Sequence, residues 1–206
     1  MKRIKVVALS AAGLSAMVAV VAGWLMGSVA ANSELKAEAV ADANGNLHVP
    51  DAYRTTYQFL GTWAVAADQG HGSEELHVVY ASPGTTAAYH QNGHFPDGAV
   101  LVKEVYRAAT GQMTTGTVSH AESLRGWFVM MKDSNGRYAG NQLLWGDGWG
   151  WSWFDAANPS TPSFSLPLKG GSTATSTDYR ANCKPCHLPA QGSDWIYVDG
   201  YLPLRR

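Results

Sequence analysis

The feature that most constrains this chain is a short motif near its C-terminus, Cys183-Lys184-Pro185-Cys186-His187. Its two cysteines are the only ones among 206 residues. The pattern Cys-x-x-Cys-His is the attachment signature of a c-type haem. Two thiols at this spacing reach both vinyl groups of one porphyrin, and the adjacent imidazole then approaches the iron from one side. The motif therefore predicts a haem c bound through Cys183 and Cys186, with His187 as the proximal iron ligand.

Two other uses of paired cysteines stay open at this point. Cys183 and Cys186 could form a disulfide, because thioredoxin-like sites use the same spacing, but those sites accompany a βαβ pattern that this sequence lacks. A structural zinc site takes about four ligands, usually from two clusters. The sequence offers no second cluster of paired ligands, so haem attachment is the favoured interpretation.

The N-terminus has the pattern of an export signal. Basic residues precede Val6, and no charged residue occurs from Val6 to Ala31. Ser28-Val29-Ala30 offers the small-x-small cleavage pattern. Residues 1–31 are therefore predicted to be a signal peptide or, because the apolar run is long enough to span a bilayer, an uncleaved N-terminal anchor.

The remainder divides into a tether and a domain. Residues 32–47 are small and polar and predict a flexible tether, and residues 48–206 are predicted to form the haem-binding cytochrome domain. Either form of the N-terminus places this domain outside the cytoplasm, which agrees with haem c, so we expect a periplasmic protein. The formal net charge of −1 implies no nucleic-acid partner.

Composition and periodicity favour strands and turns over long helices. Charged residues make up only 15% of the chain, and glycine and aromatic residues are abundant. The predicted elements are strands at Leu76–Tyr80, Ala99–Tyr106, Trp127–Lys132 and Leu143–Phe154, and helices at 51–60 and 179–186.

Lys103 stands out within the strand Ala99–Tyr106. Alternation places it on one face with Leu101 and Val105, and the opposite face is also largely apolar. The strand should therefore be buried on both sides, where a lysine is rare without a partner. The ordinary explanation is that Lys103 extends outward to solvent or pairs with a carboxylate.

The position of the haem motif bears on the sixth iron ligand. No methionine occurs after His187, and those downstream of the export segment are Met113, Met130 and Met131. An electron carrier with methionine and histidine ligands is therefore disfavoured, although not excluded. An open sixth position is favoured, and it implies binding or chemistry at the iron.

Several stretches together resemble the cytochrome P-460 family, and the likeness extends from about His48 to Leu204. The stretches are Phe95–Glu104, Trp145–Trp151, Cys183–His187 and Asp194–Tyr201. The resemblance implies an α+β, β-rich fold, a mainly antiparallel sheet with a few packing helices around one c-type haem, usually in a homodimer. It also implies a five-coordinate iron at rest and oxidation of hydroxylamine, with nitrous oxide formed when nitric oxide is captured. The mark of these enzymes is a lysine bonded to the porphyrin edge, and Lys103 matches that position.

The resemblance also extends to the distal side of the haem. The related β-type cytochromes c′ lack the lysine bond and bind nitric oxide or carbon monoxide in a pocket capped by phenylalanine. In this chain a small substrate needs an apolar pocket on the face opposite His187, and Phe95 or Phe128 is expected near it. The active enzymes use a distal carboxylate as proton acceptor. Asp147 and Asp155 are candidates because they adjoin the tryptophan-rich stretch, but Asp147 could simply shape a turn and Asp155 could cap or face solvent.

Three hypotheses follow. The first is a haem oxidoreductase that acts on hydroxylamine and passes electrons to an unidentified redox partner. The second is a non-catalytic cytochrome that binds nitric oxide or carbon monoxide. The third is an electron-transfer cytochrome with a methionine or lysine sixth ligand.

Overall fold

A six-stranded antiparallel sheet is the central element of the computed structural model, which describes residues 40–68, 70–162, 165–167, 173–175 and 178–206. The strand order is β1-β2-β3-β4-β6-β5. Its strands are β1 (Gln58–Ala66), β2 (Ser73–Ala81), β3 (Val100–Met113), β4 (Gly116–Lys132), β5 (Trp145–Gly146) and β6 (Trp149–Asp155). A separate antiparallel pair consists of β7 (Ser165–Pro167) and β8 (Thr173–Thr175).

The helices are short. They are α1 (Tyr53–Thr56), α2 (Thr85–Asn92), α3 (Tyr179–Asn182) and α4 (Lys184–His187), followed by 3-10 turns at Leu188–Ser193, Val198–Gly200 and Leu202–Leu204. The predicted β-rich α+β fold with a mainly antiparallel sheet is therefore confirmed. No helix in the described part of the chain is long and apolar enough to cross a membrane. The predicted export segment, residues 1–31, lies outside the described residues.

The central hairpin of β3 and β4 organises the core. Lys103 on β3 lies between Val79 of β2 and Phe128 of β4. The predicted burial of both faces of β3 is confirmed, since Val100, Val102 and their neighbours on either face are almost fully shielded from solvent. The two faces differ in what covers them: α1 packs on one, and the C-terminal segment lies over the other.

The face under α1 carries a buried carboxylate, Glu104. The Tyr53 hydroxyl donates to it, and so does Arg54 Nε at 2.5 Å. Trp127 Nε1 in turn donates to the Tyr53 hydroxyl at 2.8 Å. Because every buried polar group in this network has a partner, the carboxylate is compatible with the core.

Two local predictions were wrong. The helix predicted at 51–60 is a single turn, because the Thr55 and Thr56 hydroxyls bond back to the Ala52 carbonyl, and the chain is already a strand from Gln58.

The second concerns the predicted tether, of which residues 40–47 are described. Ala41 and Leu47 form a β-bridge, and Val40 and Leu47 are each only 1% exposed. These apolar side chains belong to the core, so the core begins at least as early as Val40.

Candidate functional site

A cavity of about 550 Å³ lies between one face of the sheet and the C-terminal segment. Alternate residues of the strands point into it, as the pleat requires. They include Val79 of β2, Leu101 and Lys103 of β3, Phe128 of β4 and Trp153 of β6. From the other side the cavity is closed by Asn182, Cys183, Cys186, His187, Ile196, Tyr197 and Tyr201. The walls are mostly apolar with a few polar groups, as is usual for a cofactor site.

The Cys-x-x-Cys-His motif forms two short turns. Asp178 caps α3 by accepting from the Arg180 amide at 2.9 Å. The single helix predicted at 179–186 is interrupted at Cys183, because Pro185 in the first turn of α4 disfavours continuous helix. The break leaves Cys183 buried and Cys186 exposed, and both are free thiols on the cavity.

No disulfide links these cysteines in the structure. Burial raises the pKa of Cys183 to about 12, so the thiol is neutral. The structure therefore has both sulfur atoms on the cavity and not joined to each other.

His187 is held in one orientation. Its Nδ1–H donates to the Trp195 carbonyl at 2.7 Å, and the Trp151 ring meets it edge-on with centroids 5.0 Å apart. Burial lowers the pKa of the His187 imidazole, and the hydrogen bond to Trp195 only partly opposes this lowering. The ring is therefore neutral with Nδ1 occupied, and Nε2 carries the lone pair that a metal takes.

Lys103 points into the same cavity and has no hydrogen-bonding or ion-pair partner among the described residues. Its Nζ lies 4.4 Å from the centre of the Phe128 ring. Burial lowers its pKa, because the surroundings solvate an ammonium ion poorly. Neither ordinary explanation applies, since Lys103 neither extends outward to solvent nor pairs with a carboxylate.

These residues fit a c-type haem. Two thiols, one oriented neutral imidazole and one unpaired amine converge on a single apolar cavity. A porphyrin brings its own equatorial nitrogen ligands and needs from the protein an axial ligand, attachment points and apolar walls. His187 would supply the axial nitrogen, and Cys183 and Cys186 the attachment points.

Among the residues that the structure describes, the carboxylate on this cavity is Glu75 of β2, which was not among the predicted site residues. His77 Nε2 donates to it at 3.1 Å, and Arg125 of β4 also donates to it. All three residues line the cavity. The pKa of Glu75 is lowered, because the His77 bond and the Arg125 charge outweigh the opposing effect of burial. Alternation along β2 places Glu75, His77 and Val79 on one face, and this pattern could have revealed Glu75 as a site residue. The strand was predicted to begin only at Leu76, so Glu75 fell outside it.

Three predicted distal residues do not line the cavity. Asp147 occupies a turn with φ 55 and accepts from Tyr179 at 3.1 Å and Lys184 at 2.9 Å. Asp155 ends β6 and accepts from the Ala157 amide at 2.8 Å. Phe95 is fully buried beside Trp149, with centroids 5.4 Å apart.

Phe128 and Met130 do line the cavity. Both point from β4 toward it, paired across the strands with Lys103 and Leu101. Of the two phenylalanines predicted near the haem, Phe128 is therefore the one that the geometry supports.

Comparison with known proteins identifies the family. The sequence profile described as Cytochrome P460 matches residues 50–198, which span the sheet, the cavity and the Cys-x-x-Cys-His motif. The predicted resemblance is therefore confirmed. No curated protein matches the sequence significantly.

Proposed function

The chain belongs to the cytochrome P460 family, and from this we propose that it is a c-type haem oxidoreductase that oxidises hydroxylamine. Nitrous oxide is the product when nitric oxide is captured. The observation that carries the proposal is the convergence of two thiols, the Nε2 of His187 and the unpaired amine of Lys103 on one apolar cavity.

The stoichiometry defines what the protein must provide. One hydroxylamine and one nitric oxide give nitrous oxide and water, and one electron and one proton are left over. When bound, the haem supplies an iron that holds a small nitrogenous molecule and accepts electrons from it. The protein must then supply a proton acceptor inside the cavity and a route for the electron to an external redox partner.

Glu75 is the proposed proton acceptor, in place of Asp147 and Asp155. Its pKa is lowered by His77 and Arg125, so it is a carboxylate near neutral pH. His77 and Arg125 fix the carboxylate and leave its remaining lone pairs for a proton from the substrate. The exposed edge of this cluster offers a path to water, since the Arg125 side chain is 36% exposed.

Lys103 is proposed to bond through Nζ to the porphyrin edge. An unpaired ammonium ion is unfavourable in surroundings that solvate it poorly, and the bond to the porphyrin removes that charge. The new N–C bond replaces an amine N–H and a ring C–H, so two electrons and two protons must leave. An oxidant of the peroxide class would accept them during maturation.

The gas-binding hypothesis is the second candidate. It is favoured by Phe128, which lines the cavity and packs on the Lys103 amine at 4.4 Å. A phenylalanine at this place would add an apolar wall to the cavity, which suits an uncharged diatomic gas.

One experiment separates the two. The purified, fully matured protein is digested, and the haem-bearing peptides are analysed by mass spectrometry beside the visible spectrum of the reduced protein. The enzyme predicts that the peptides containing Lys103 and Cys183–His187 are joined through one haem, with a strongly red-shifted Soret band. Recovery of a free Lys103 peptide with an ordinary haem c spectrum would instead favour gas binding. Lys103→Arg is the control, because it keeps a cation but not the primary amine.

We also propose the setting in which the protein works. Haem c attachment and the charge-free stretch from Val6 to Ala31 support export to the periplasm. The family resemblance supports a homodimer. Fractionation of cells and sedimentation of the purified protein test these two proposals.

A further inference from the structure

The loop behind His187 contains two consecutive residues in the left-handed backbone region. Asp194 has φ 58 and Trp195 has φ 69. Aspartate tolerates this conformation, whereas a bulky residue such as tryptophan rarely adopts it. Strained backbone of this kind persists only where the surroundings over-determine it, and it is concentrated at functional sites.

The strained turn has a direct consequence for the haem site. It directs the Trp195 carbonyl at His187 Nδ1, at 2.7 Å. The Trp195 amide is used within the same turn, donating to the Ala190 carbonyl at 2.9 Å. The orientation of the imidazole therefore depends on a backbone conformation that the local sequence disfavours.

The Asp194 carboxylate ties this turn to the sheet. Its Oδ2 accepts from the Phe95 amide at 3.0 Å. Its Oδ1 accepts from Lys132 Nζ at 2.5 Å and from Trp149 Nε1 at 3.3 Å. The side chains of Lys132 and Asp194 are only 10% and 13% exposed, so the ion pair is weakly screened.

We propose that Asp194 and Lys132 are positioning residues that set the strength of His187 as an iron ligand. The inference rests on the proposed function only in taking His187 as the proximal ligand. The carboxylate and its cation anchor the strained turn to the end of β4, and the turn fixes the length of the bond from His187 to Trp195.

The physical basis is the effect of a ligand's own hydrogen bond. A carbonyl that accepts from Nδ1–H makes the imidazole a stronger donor toward a metal. A stronger axial donor favours ferric over ferrous iron, and hydrogen bonding around the ligand is one of the means by which a protein tunes a haem. Loosening the turn should therefore weaken the iron–histidine bond and raise the midpoint potential.

The test compares two variants with a matched control. Asp194→Asn removes the charge but keeps an acceptor for the Phe95 amide. Lys132→Met removes the cation and leaves Asp194 intact. The control is Asp97→Asn: Asp97 accepts from the Ser134 amide at 2.7 Å, from Asn135 at 2.9 Å and from Arg137 at 2.9 Å, and it has no bond to the His187 loop.

Resonance Raman spectra of the ferrous haem-loaded proteins report the iron–histidine stretching band, and redox titration reports the midpoint potential. We expect Asp194→Asn and Lys132→Met to shift the band to lower frequency and the potential to more positive values, and the control to match wild type. An unshifted band and potential in both variants would overturn the proposal, as would an equal shift in the control. If Asp194→Asn fails to mature, Lys132→Met alone decides. A wild-type ferrous protein that is five-coordinate and has no iron–histidine band would instead refute His187 ligation, and with it the proposed function.

Discussion

Replacing Glu75 by glutamine tests the proposed proton acceptor. This residue lies outside the Cys-x-x-Cys-His motif and reaches the cavity only through the fold. Glutamine keeps the size of the side chain and can still accept from His77 and Arg125, but it cannot take up a proton near neutral pH. If Glu75 is the general base, the rate of hydroxylamine oxidation should fall by ~10²–10⁴-fold. This corresponds to about 2.7–5.4 kcal/mol of activation free energy at about 1.36 kcal/mol for each tenfold change.

Loss of the Glu75–Arg125 ion pair alone would change the free energy too little to explain such a fall in rate. The side chains of Arg125 and Glu75 are 36% and 20% exposed, and pairs this accessible contribute about 0–1 kcal/mol to stability. The variant should therefore remain folded and keep its haem. Its affinity for nitric oxide, measured optically, should change far less than its rate.

The assay is steady-state oxidation of hydroxylamine by the matured protein with an artificial electron acceptor. Asp147→Asn is the matched control, because it removes a carboxylate that accepts from Tyr179 and Lys184 outside the cavity. We expect the control to retain wild-type turnover. A Glu75→Gln protein as active as wild type, or an equal loss in Asp147→Asn, would refute the assignment of Glu75.

The pH dependence has a definite sign. The pKa of Glu75 is lowered in the folded protein, so its ion pair stabilises the fold above the ordinary carboxyl pKa of about 4.3. That stability is lost as the pH falls through the lower folded pKa. The rate of hydroxylamine oxidation by the wild-type protein should depend on the same Glu75 carboxylate. It should therefore decline only when the pH falls below the ordinary carboxyl pKa of about 4.3.

Two further predictions concern attachment and stability. Cys183→Ser should leave at most one thioether, so mass spectrometry of the digested protein should find haem bonded to Cys186 and not to position 183. Haem bonded at position 183 of this variant would contradict the attachment scheme. Tyr53→Phe should lower the free energy of unfolding by about 1–3 kcal/mol, because it leaves the buried Glu104 carboxylate short of a donor. Urea unfolding of the haem-loaded protein measures this loss, and Tyr57→Phe, which removes a hydroxyl outside the network, should be nearly neutral; equal costs in both would refute the role of Tyr53.

Family membership follows from short-range signals. The Cys-x-x-Cys-His motif needs no tertiary information, because its chemistry depends on residues a few positions apart. The placement of Lys103 was also predictable, since alternation along β3 puts it between Leu101 and Val105 on a face that is buried. The sequence indicated the antiparallel fold only through the family resemblance.

The distal groups could not be derived in this way. Asp147 and Asp155 adjoin the tryptophan-rich strand in sequence, but they lie at its ends, where the chain turns away from the cavity. Glu75 is more than a hundred residues from the haem motif and reaches the cavity only because β2 pairs with β3 in a register that opposes Val79 and Lys103.

The sequence by itself determined the haem attachment motif, the family and the face of β3 that carries Lys103, because these depend on spacing and on the two-residue period of a strand. The tertiary structure decided which carboxylate enters the cavity and what orients His187. The first depends on strand register and the second on the Lys132–Asp194 pair that holds a strained turn. Both arise from contacts between segments far apart in the chain, and local periodicity carries no information about such contacts.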